Sequence, residues 1–511
     1  MAYPINRPLQ LDPDSPVLIE LRNLLLQSGY SEAGIYPTVE NISPEISPAI
    51  PSGSRLHTLL KLFYLLEPVP PDLVRQGLPS LDLGQLLATG VCCLEDNQVI
   101  SNALFQPYAQ LYFHVGYRTL STQPEEHVMR ISSTSLELAH LMNPRRARNA
   151  LDLGTGCGFL AALLSPRADR VYALDLNPAA VQLAEFNARW NSLSNITCLQ
   201  GDLFEPVRDL RFDLIVSNAP YLICPVQDPF VNRLLYQHPP GQKDDSFCLQ
   251  LARDASHFLE EEGFLHMTLA WIQKHGQDWR ARLTKTFSGI GCDAWCLRAY
   301  EELPEEYVSN WCAELPDIQD TDMDSLRREG LAYFEQNNIE AIGSGFLTLR
   351  RCTSRANHLW FDEAPDDRSE PYGSSVATLF DVRAKFESAP DELLLQQEFA
   401  VTPDIASIQK SVRKGKRWES IASELCRDSG LKYTFSGVDP ILSEIVTRLD
   451  GRASLRTILA RISRERHLPL PSVMAAHLPH VRELLRYGFI LPASPVRSSS
   501  KLRHSSRPSS R

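Results

Sequence analysis

The 511-residue chain contains no run of about eighteen apolar residues, which excludes an ordinary membrane-spanning helix. Its start, MAYPINRPLQLDPDSP, lacks a basic stretch followed by an apolar one, so no signal peptide is expected. A second cysteine pair to complete a zinc site is also missing. The 11 cysteines are scattered and odd in number; Cys92 and Cys93 are adjacent, and Cys292 and Cys296 have no second pair. Reduced thiols in a cytosolic protein without a metal site are expected. Positive charge is scarce: 51 Lys and Arg face 62 Asp and Glu, a net charge of −11. That balance argues against general coating of nucleic acid and leaves room for a local basic face. What is present, 43% hydrophobic and 22% charged residues, suits a soluble globular protein, and the length implies roughly two to four domains.

Apolar positions recur at helical spacing in 17–28 and 56–67, separated by the Pro/Ser-rich TVENISPEISPAIPSGS. Short helices are expected from Pro70-Pro71-Asp72 and over Leu81–Thr89. VCCLEDNQVIS and YAQLYFHVGY then read as strands, with a turn at Asp96-Asn97. From Asn149 strands and helices alternate, with strands expected at 149–153, 170–175, 195–199, 212–217, 264–269, 293–298 and 346–351. This alternation implies a doubly wound, mostly parallel α/β sheet of seven strands. The acidic stretch 301–324 reads as a solvated insertion, and 353–375 as a polar linker. Three helices and a terminal strand, FILP, follow, with Gly451 and Gly488 just past helix ends. Helices followed by β-structure suggest winged-helix-like modules on both sides of the sheet domain. The boundaries are 1–128, 129–352, a linker at 353–375, 376–493, and a basic tail at 494–511 that is expected to be disordered. The cations Lys410, Arg413, Lys414, Lys416 and Arg417 read as a solvated helix face, with a nucleic-acid footprint as the alternative.

Chemistry concentrates where strands end. In ALDLGTGCGFLAALL, Gly154, Gly156 and Gly158 fall between an apolar strand and a helix, a place where the backbone can approach a ligand closely. Dinucleotide enzymes use such a turn too. Here Asp152 stands two residues before the first glycine, where it would repel a pyrophosphate and suit a ligand carrying an ammonium and a sulfonium. Asp175 ends the next strand, about twenty residues on, where a carboxylate can accept from both ribose hydroxyls. Asp202 follows the third strand in CLQGDLFEP, where it could accept from an exocyclic adenine amine. Each acid alone would be a turn or cap residue. Three of them at the carboxyl ends of three successive strands mark the edge where open α/β sheets bind ligands. The fourth strand runs into Asn218-Ala219-Pro220-Tyr221, which is a simple turn by residue type. Trp271, in MTLAWI, reads as a core or rim aromatic.

Taken together, LDLGTGCG, DLNPAAVQLAEFNARWN, QGDLFEP and SNAPY resemble the class I S-adenosylmethionine-dependent methyltransferases with an Asn-Pro-Pro-Tyr motif. The likeness is greatest to the release-factor glutamine methyltransferases of the HemK/PrmC type. It covers roughly 129–352, and the flanks look like those of a bacterial group that adds modules on both sides. The resemblance implies a Rossmann-like domain that binds S-adenosylmethionine through Asp152, Gly154, Thr155, Gly156, Gly158, Asp175, Leu176, Asp202, Leu203 and Asn218. It also implies that Asn218, Ala219, Pro220 and Tyr221 receive the target nitrogen. The Asn218 side-chain oxygen and the Ala219 carbonyl would accept from its two N–H groups, and Tyr221 would stack on its planar system. Ala219 departs from the family's proline; it keeps the carbonyl and gives up some stiffness. A protein glutamine amide is the first expected target, with an RNA or DNA base as the alternative. A non-catalytic protein that keeps the cofactor fold is a reading of another class. Under the resemblance the partner is a translation-related protein or RNA, chosen by the flanking modules and basic tail.

Overall fold

A computed structural model describes residues 11–31, 50–117, 128–226, 243–313, 320–414 and 417–493. The basic tail, Lys416 and most of the Pro/Ser-rich stretch before Ser54 lie outside the described residues. The chain divides into two compact units, 1–139 with 144–364, and 140–143 with 365–511. No helix among the described residues is long and apolar enough to cross a membrane.

The first unit opens with helices Pro16–Gln27, Arg55–Phe63, Pro71–Gly77 and Leu83–Ala88. Two β-hairpins follow, where one had been expected. Strands β1 (Cys92–Glu95) and β2 (Gln98–Ser101) turn through Asp96 and Asn97 at φ +47° and +59°. Strands β3 (Ala103–Tyr108) and β4 (Leu111–Tyr117) turn through Ala109 and Gln110 at +48° and +66°. Both two-residue loops place consecutive residues at positive φ, as the right-handed twist of a hairpin favours. Asp-Asn announces such a turn in sequence and Ala-Gln does not, so the second hairpin was illegible. Leu18, Leu21, Leu60, Phe63, Val99 and Phe105 form the core here, and Phe186 and Trp190 reach into it from helix Pro178–Trp190.

Among the described residues the central sheet has eight strands: β5 (Ala147–Leu153), β6 (Ala168–Asp175), β7 (Ile196–Gln200), β8 (Phe212–Ser217), β9 (Leu259–Lys274), β10 (Cys292–Glu302), β11 (Ile339–Arg351) and β12 (Leu359–Glu363). Their order is β12-β10-β11-β9-β8-β5-β6-β7. Only β11 runs antiparallel to its neighbours. The order reverses between β5 and β8, and at such a switch point the carboxyl ends of the strands leave a crevice.

Two expectations change in this unit. The eighth strand, β12, lies within the expected linker 353–375 and pairs parallel with β10 from Ala294↔Leu359 to Arg298↔Glu363. Its five residues, three apolar followed by two acidic, make too short a run to separate from a polar linker. The acidic stretch forms helices Pro304–Ala313 and Asp320–Gln336. Tyr307, Val308, Trp311 and Cys312, one helix face, are buried with Phe334, Ile223 and Ile342. The acids occupy the outer face, so total charge concealed an amphipathic helix. Trp271 is fully buried in the main core.

The second unit begins its helices at Gly373–Phe386 and holds Pro440–Arg448, Leu455–Glu465 and Leu470–Arg486, the three helices read from sequence. Strands β13 (Glu398–Val401), β17 (Asp450–Ser454) and β18 (Ile490–Pro492) form one small sheet. Strands β14 (Ile405–Lys414), β15 (Arg417–Arg427) and β16 (Thr434–Ser436) form another. Lys410, Arg413, Lys414 and Arg417 therefore sit on strands of a hairpin, not on a helix face. Ile408, Lys410, Val412 and Lys414 fall on one strand face and mix apolar with cationic residues, so no clean period-two signal marked the strand.

Candidate active site

Strand β5 ends at Leu153, and the chain passes through Gly154-Thr155-Gly156-Cys157-Gly158 into helix Phe159–Leu164. The three glycines hold φ of +75°, +54° and +80°, a region that L-residues with side chains avoid. A Cβ at Gly158 would lie 3.0 Å from Cα and Cβ of Ala184, in helix Pro178–Trp190. At Gly154 a Cβ would meet nothing within 4 Å. Packing thus requires one glycine, and the other borders open space.

Asp152 is fully buried. Its Oδ2 accepts from the Thr155 hydroxyl at 2.6 Å and from the Ala161 N–H at 2.8 Å. Its Oδ1, equally buried, has no hydrogen-bond partner among the described residues. Burial pushes the carboxyl up to about 7 against the pull of those two donors, and nearby Asp175 adds to the rise. A half-satisfied buried carboxylate is costly, and a cation placed against Oδ1 would relieve it.

Asp175 ends β6, half-buried, and clamps the glycine turn. Its Oδ2 accepts from the Gly156 N–H and its Oδ1 from the Asn177 N–H, both at 2.9 Å. Leu176 beside it is 48% exposed, an apolar surface at a strand end. Asp202 is exposed beyond β7, and Leu203 after it holds φ of +46°. A leucine there costs roughly 1–2 kcal/mol of backbone strain, which marks the turn as imposed by its surroundings. Asp152, the glycines, Asp175 and Asn218 share the ends of three adjacent strands, β8, β5 and β6; Asp202 and Leu203 follow the next strand, β7.

At the end of β8, the Ser217 hydroxyl donates to the Leu153 carbonyl at 2.8 Å, tying this strand end to β5. Asn218 is half-buried. Its Nδ2 donates to Ser135 Oγ at 3.0 Å, and its Oδ1 accepts from the Thr268 hydroxyl at 3.1 Å. Ala219 is buried in the main core. The Pro220 carbonyl accepts from the Cys248 thiol at 3.4 Å. Tyr221 is half-buried against both the main core and the cluster beneath helix Pro304–Ala313. The Ile223 N–H donates to the Tyr307 hydroxyl at 2.9 Å, so that helix fixes the chain leaving the motif.

Three residues of this region escaped the sequence reading. Ser135 and Thr268 hold Asn218. Asn187, 1% exposed, donates from Nδ2 to the Cys157 carbonyl at 2.8 Å and to the His114 carbonyl at 2.9 Å, and its Oδ1 accepts from the His114 N–H at 2.8 Å. A polar residue on the buried face of FNARW was the available signal for Asn187. Ser132-Ser133-Thr134-Ser135 announced only a helix cap.

A family model described as the methyltransferase small domain matches residues 130–289. A domain of unknown function, DUF7782, matches residues 381–492. The release factor glutamine methyltransferase of Moorella thermoacetica is 44% identical over 85 residues, 16% of this chain and 30% of that protein. Its Escherichia coli namesake is 36% identical over 141 residues, 25% of this chain and 49% of that protein. The tRNA1(Val) (adenine(37)-N6)-methyltransferase of Glaesserella parasuis is 30% identical over 154 residues, 29% of this chain and 57% of that protein. The chain thus spans between 30% and 57% of the length of these relatives. By its strand order, its glycine turn and these matches, the central region is a methyltransferase domain of the class I, HemK/PrmC-like family.

Proposed function

We propose that this protein transfers a methyl group from S-adenosylmethionine to a nitrogen attached to a planar system, a protein glutamine amide in the first instance. The observation that carries this reading is Asn218, held by its amide at the switch point of the sheet beside the glycine turn. The residues present fit the donor molecule. The unpaired Oδ1 of Asp152 suits a cation, Gly154 and Gly156 leave room for close approach, and Asp175 stands at the end of the adjacent strand, where a carboxylate can accept from ribose hydroxyls. Thr155, Gly158, Leu176, Asp202 and Leu203 complete the set that would hold it. Bound there, S-adenosylmethionine supplies a methyl group made electrophilic by its sulfonium.

The chain's own residues have to orient a weak nucleophile, since the lone pair of such a nitrogen is delocalised. Asn218 Oδ1, with one lone pair committed to Thr268, retains another for an N–H of the target. The Ala219 carbonyl would accept the second N–H, and Tyr221 would lie on the planar group. Positioning and electrostatics then carry the step, and the proton leaves only after transfer. The relatives named for tRNA adenine support a second reading, in which the nitrogen is an adenine amine. In either case the flanking modules, winged-helix-like by sequence, would select a macromolecular partner, translation-related protein or RNA.

Incubation with methyl-tritiated donor and cell extract, split between protease and nuclease, separates the readings. Label released by protease and resistant to nuclease is expected, and the reverse result establishes the nucleic-acid reading. Asn218→Ala should lower incorporation by about 10²–10³-fold. A near-normal rate in that variant returns Asn218-Ala219-Pro220-Tyr221 to the status of an ordinary turn.

A further inference from the structure

The amide of Asn218 is gripped from both sides by hydroxyls of distant segments. Thr268 lies on β9, 50 residues away in sequence, and is 2% exposed. Ser135 lies in the first turn of helix Ser133–Leu141, 83 residues away, and is 6% exposed. Ser135 is itself held by the helix cap. Its N–H donates to Ser132 Oγ at 3.1 Å, and the two hydroxyl oxygens are 3.0 Å apart. Ser132 Oγ also lies 2.8 Å from Thr134 Oγ1. Left alone, the terminal torsion of an asparagine is broad, with two nearly equivalent orientations. Here each half of the amide has one buried partner, which leaves one lone pair on Oδ1 and one N–H on Nδ2 for anything that enters.

We propose that Thr268 and Ser135 are positioning residues, which lock the plane of the Asn218 amide so that its remaining lone pair faces the target nitrogen. The inference rests on the reading of Asn218 given above. It adds that the motif is active only when braced from β9 and from helix Ser133–Leu141. A hydrogen bond that drifts by about 1 Å at the reacting centre lowers a rate by on the order of 10²-fold, whereas donor binding is served by other residues.

The test compares Thr268→Val, Thr268→Ser and Ser135→Ala with the unaltered chain. The readouts are transfer of tritiated methyl to unfractionated cell extract at saturating donor, donor affinity by calorimetry, and melting temperature. Thr268→Val and Ser135→Ala should each lower the limiting rate by about 10–100-fold, with donor affinity within about two-fold and little change in half-saturating extract. Thr268→Ser, which keeps the hydroxyl, should recover most of the rate. In an Asn218→Ala background, Thr268→Val should add less than about two-fold, because the group it braces is gone. Normal transfer by Asn218→Ala overturns the functional reading itself. Loss in Asn218→Ala together with a normal rate in Thr268→Val overturns only the bracing, as does an equal loss from Thr268→Val in both backgrounds. Crystal structures of the unaltered and Thr268→Val proteins give an answer independent of activity: a reoriented Asn218 amide is expected, and an unchanged one overturns the proposal.

Discussion

Asp152 takes both of its donors on one oxygen, and the pH dependence of ligand binding follows from the other. Its carboxyl is raised from 3.8 to about 7, mainly by desolvation. The native state therefore keeps a proton that the unfolded chain has released, and this group's contribution to stability declines as pH rises from about 4 to 7. A cation against Oδ1 favours the ionised form, so the sign reverses for binding. Affinity for S-adenosylmethionine should climb between about pH 5 and 7, by at most tenfold per unit, and then level off. Calorimetric titrations at pH 5.5, 6.5 and 8 check this, and a flat profile would detach Asp152 from the cationic end of the ligand. The acids were legible in the sequence because spacing from strand ends and glycines is itself a geometric signal. Ser135 and Thr268 were not, since a buried hydroxyl has no spacing of its own and becomes visible only when three segments meet.

Helix Pro304–Ala313 shows the same asymmetry among secondary elements. All seven expected central strands are present, because strand runs bounded by turn residues are local. The function of the helix is not local. Through Tyr307 it accepts the Ile223 N–H, in a chain segment just past Tyr221, and through Trp311 it closes the core beneath. Tyr307→Phe keeps the ring and strands a buried donor, at about 1–3 kcal/mol. The melting temperature should fall by several degrees. Methyl transfer should drop while donor affinity stays within about two-fold, because the loosened segment belongs to the acceptor side. Unchanged melting and unchanged transfer would remove the helix from any part in the site. The hairpin β14–β15 was misread for a related reason: five cations in eight residues outweighed its local strand character, and no clean apolar–polar alternation offset them.

Helix Pro178–Trp190 belongs to two cores at once, and this bears on the molecule as a whole. One face packs on the central sheet, and Phe186 and Trp190 insert among the N-terminal helices, where the Trp190 indole donates to the Leu18 carbonyl at 3.1 Å. The sequence suggested a substrate-selecting attachment. Removal of residues 1–117 would uncover two large aromatic side chains, worth roughly 1.5–3 kcal/mol each. It would also leave Asn187 without the His114 backbone, holding the Cys157 carbonyl of the glycine turn by itself. The truncated chain should melt lower and bind S-adenosylmethionine more weakly; equal affinity in both chains would show that the turn holds its shape unaided. The bond from Asn187 can also be followed in the opposite direction. Whatever free energy the N-terminal hairpin lends to the ligand, the ligand must return to the hairpin. Adding S-adenosylmethionine should slow deuterium uptake at the amides of Leu111–Tyr117, none of which is a named ligand contact, so those amides become a remote gauge of donor-site occupancy.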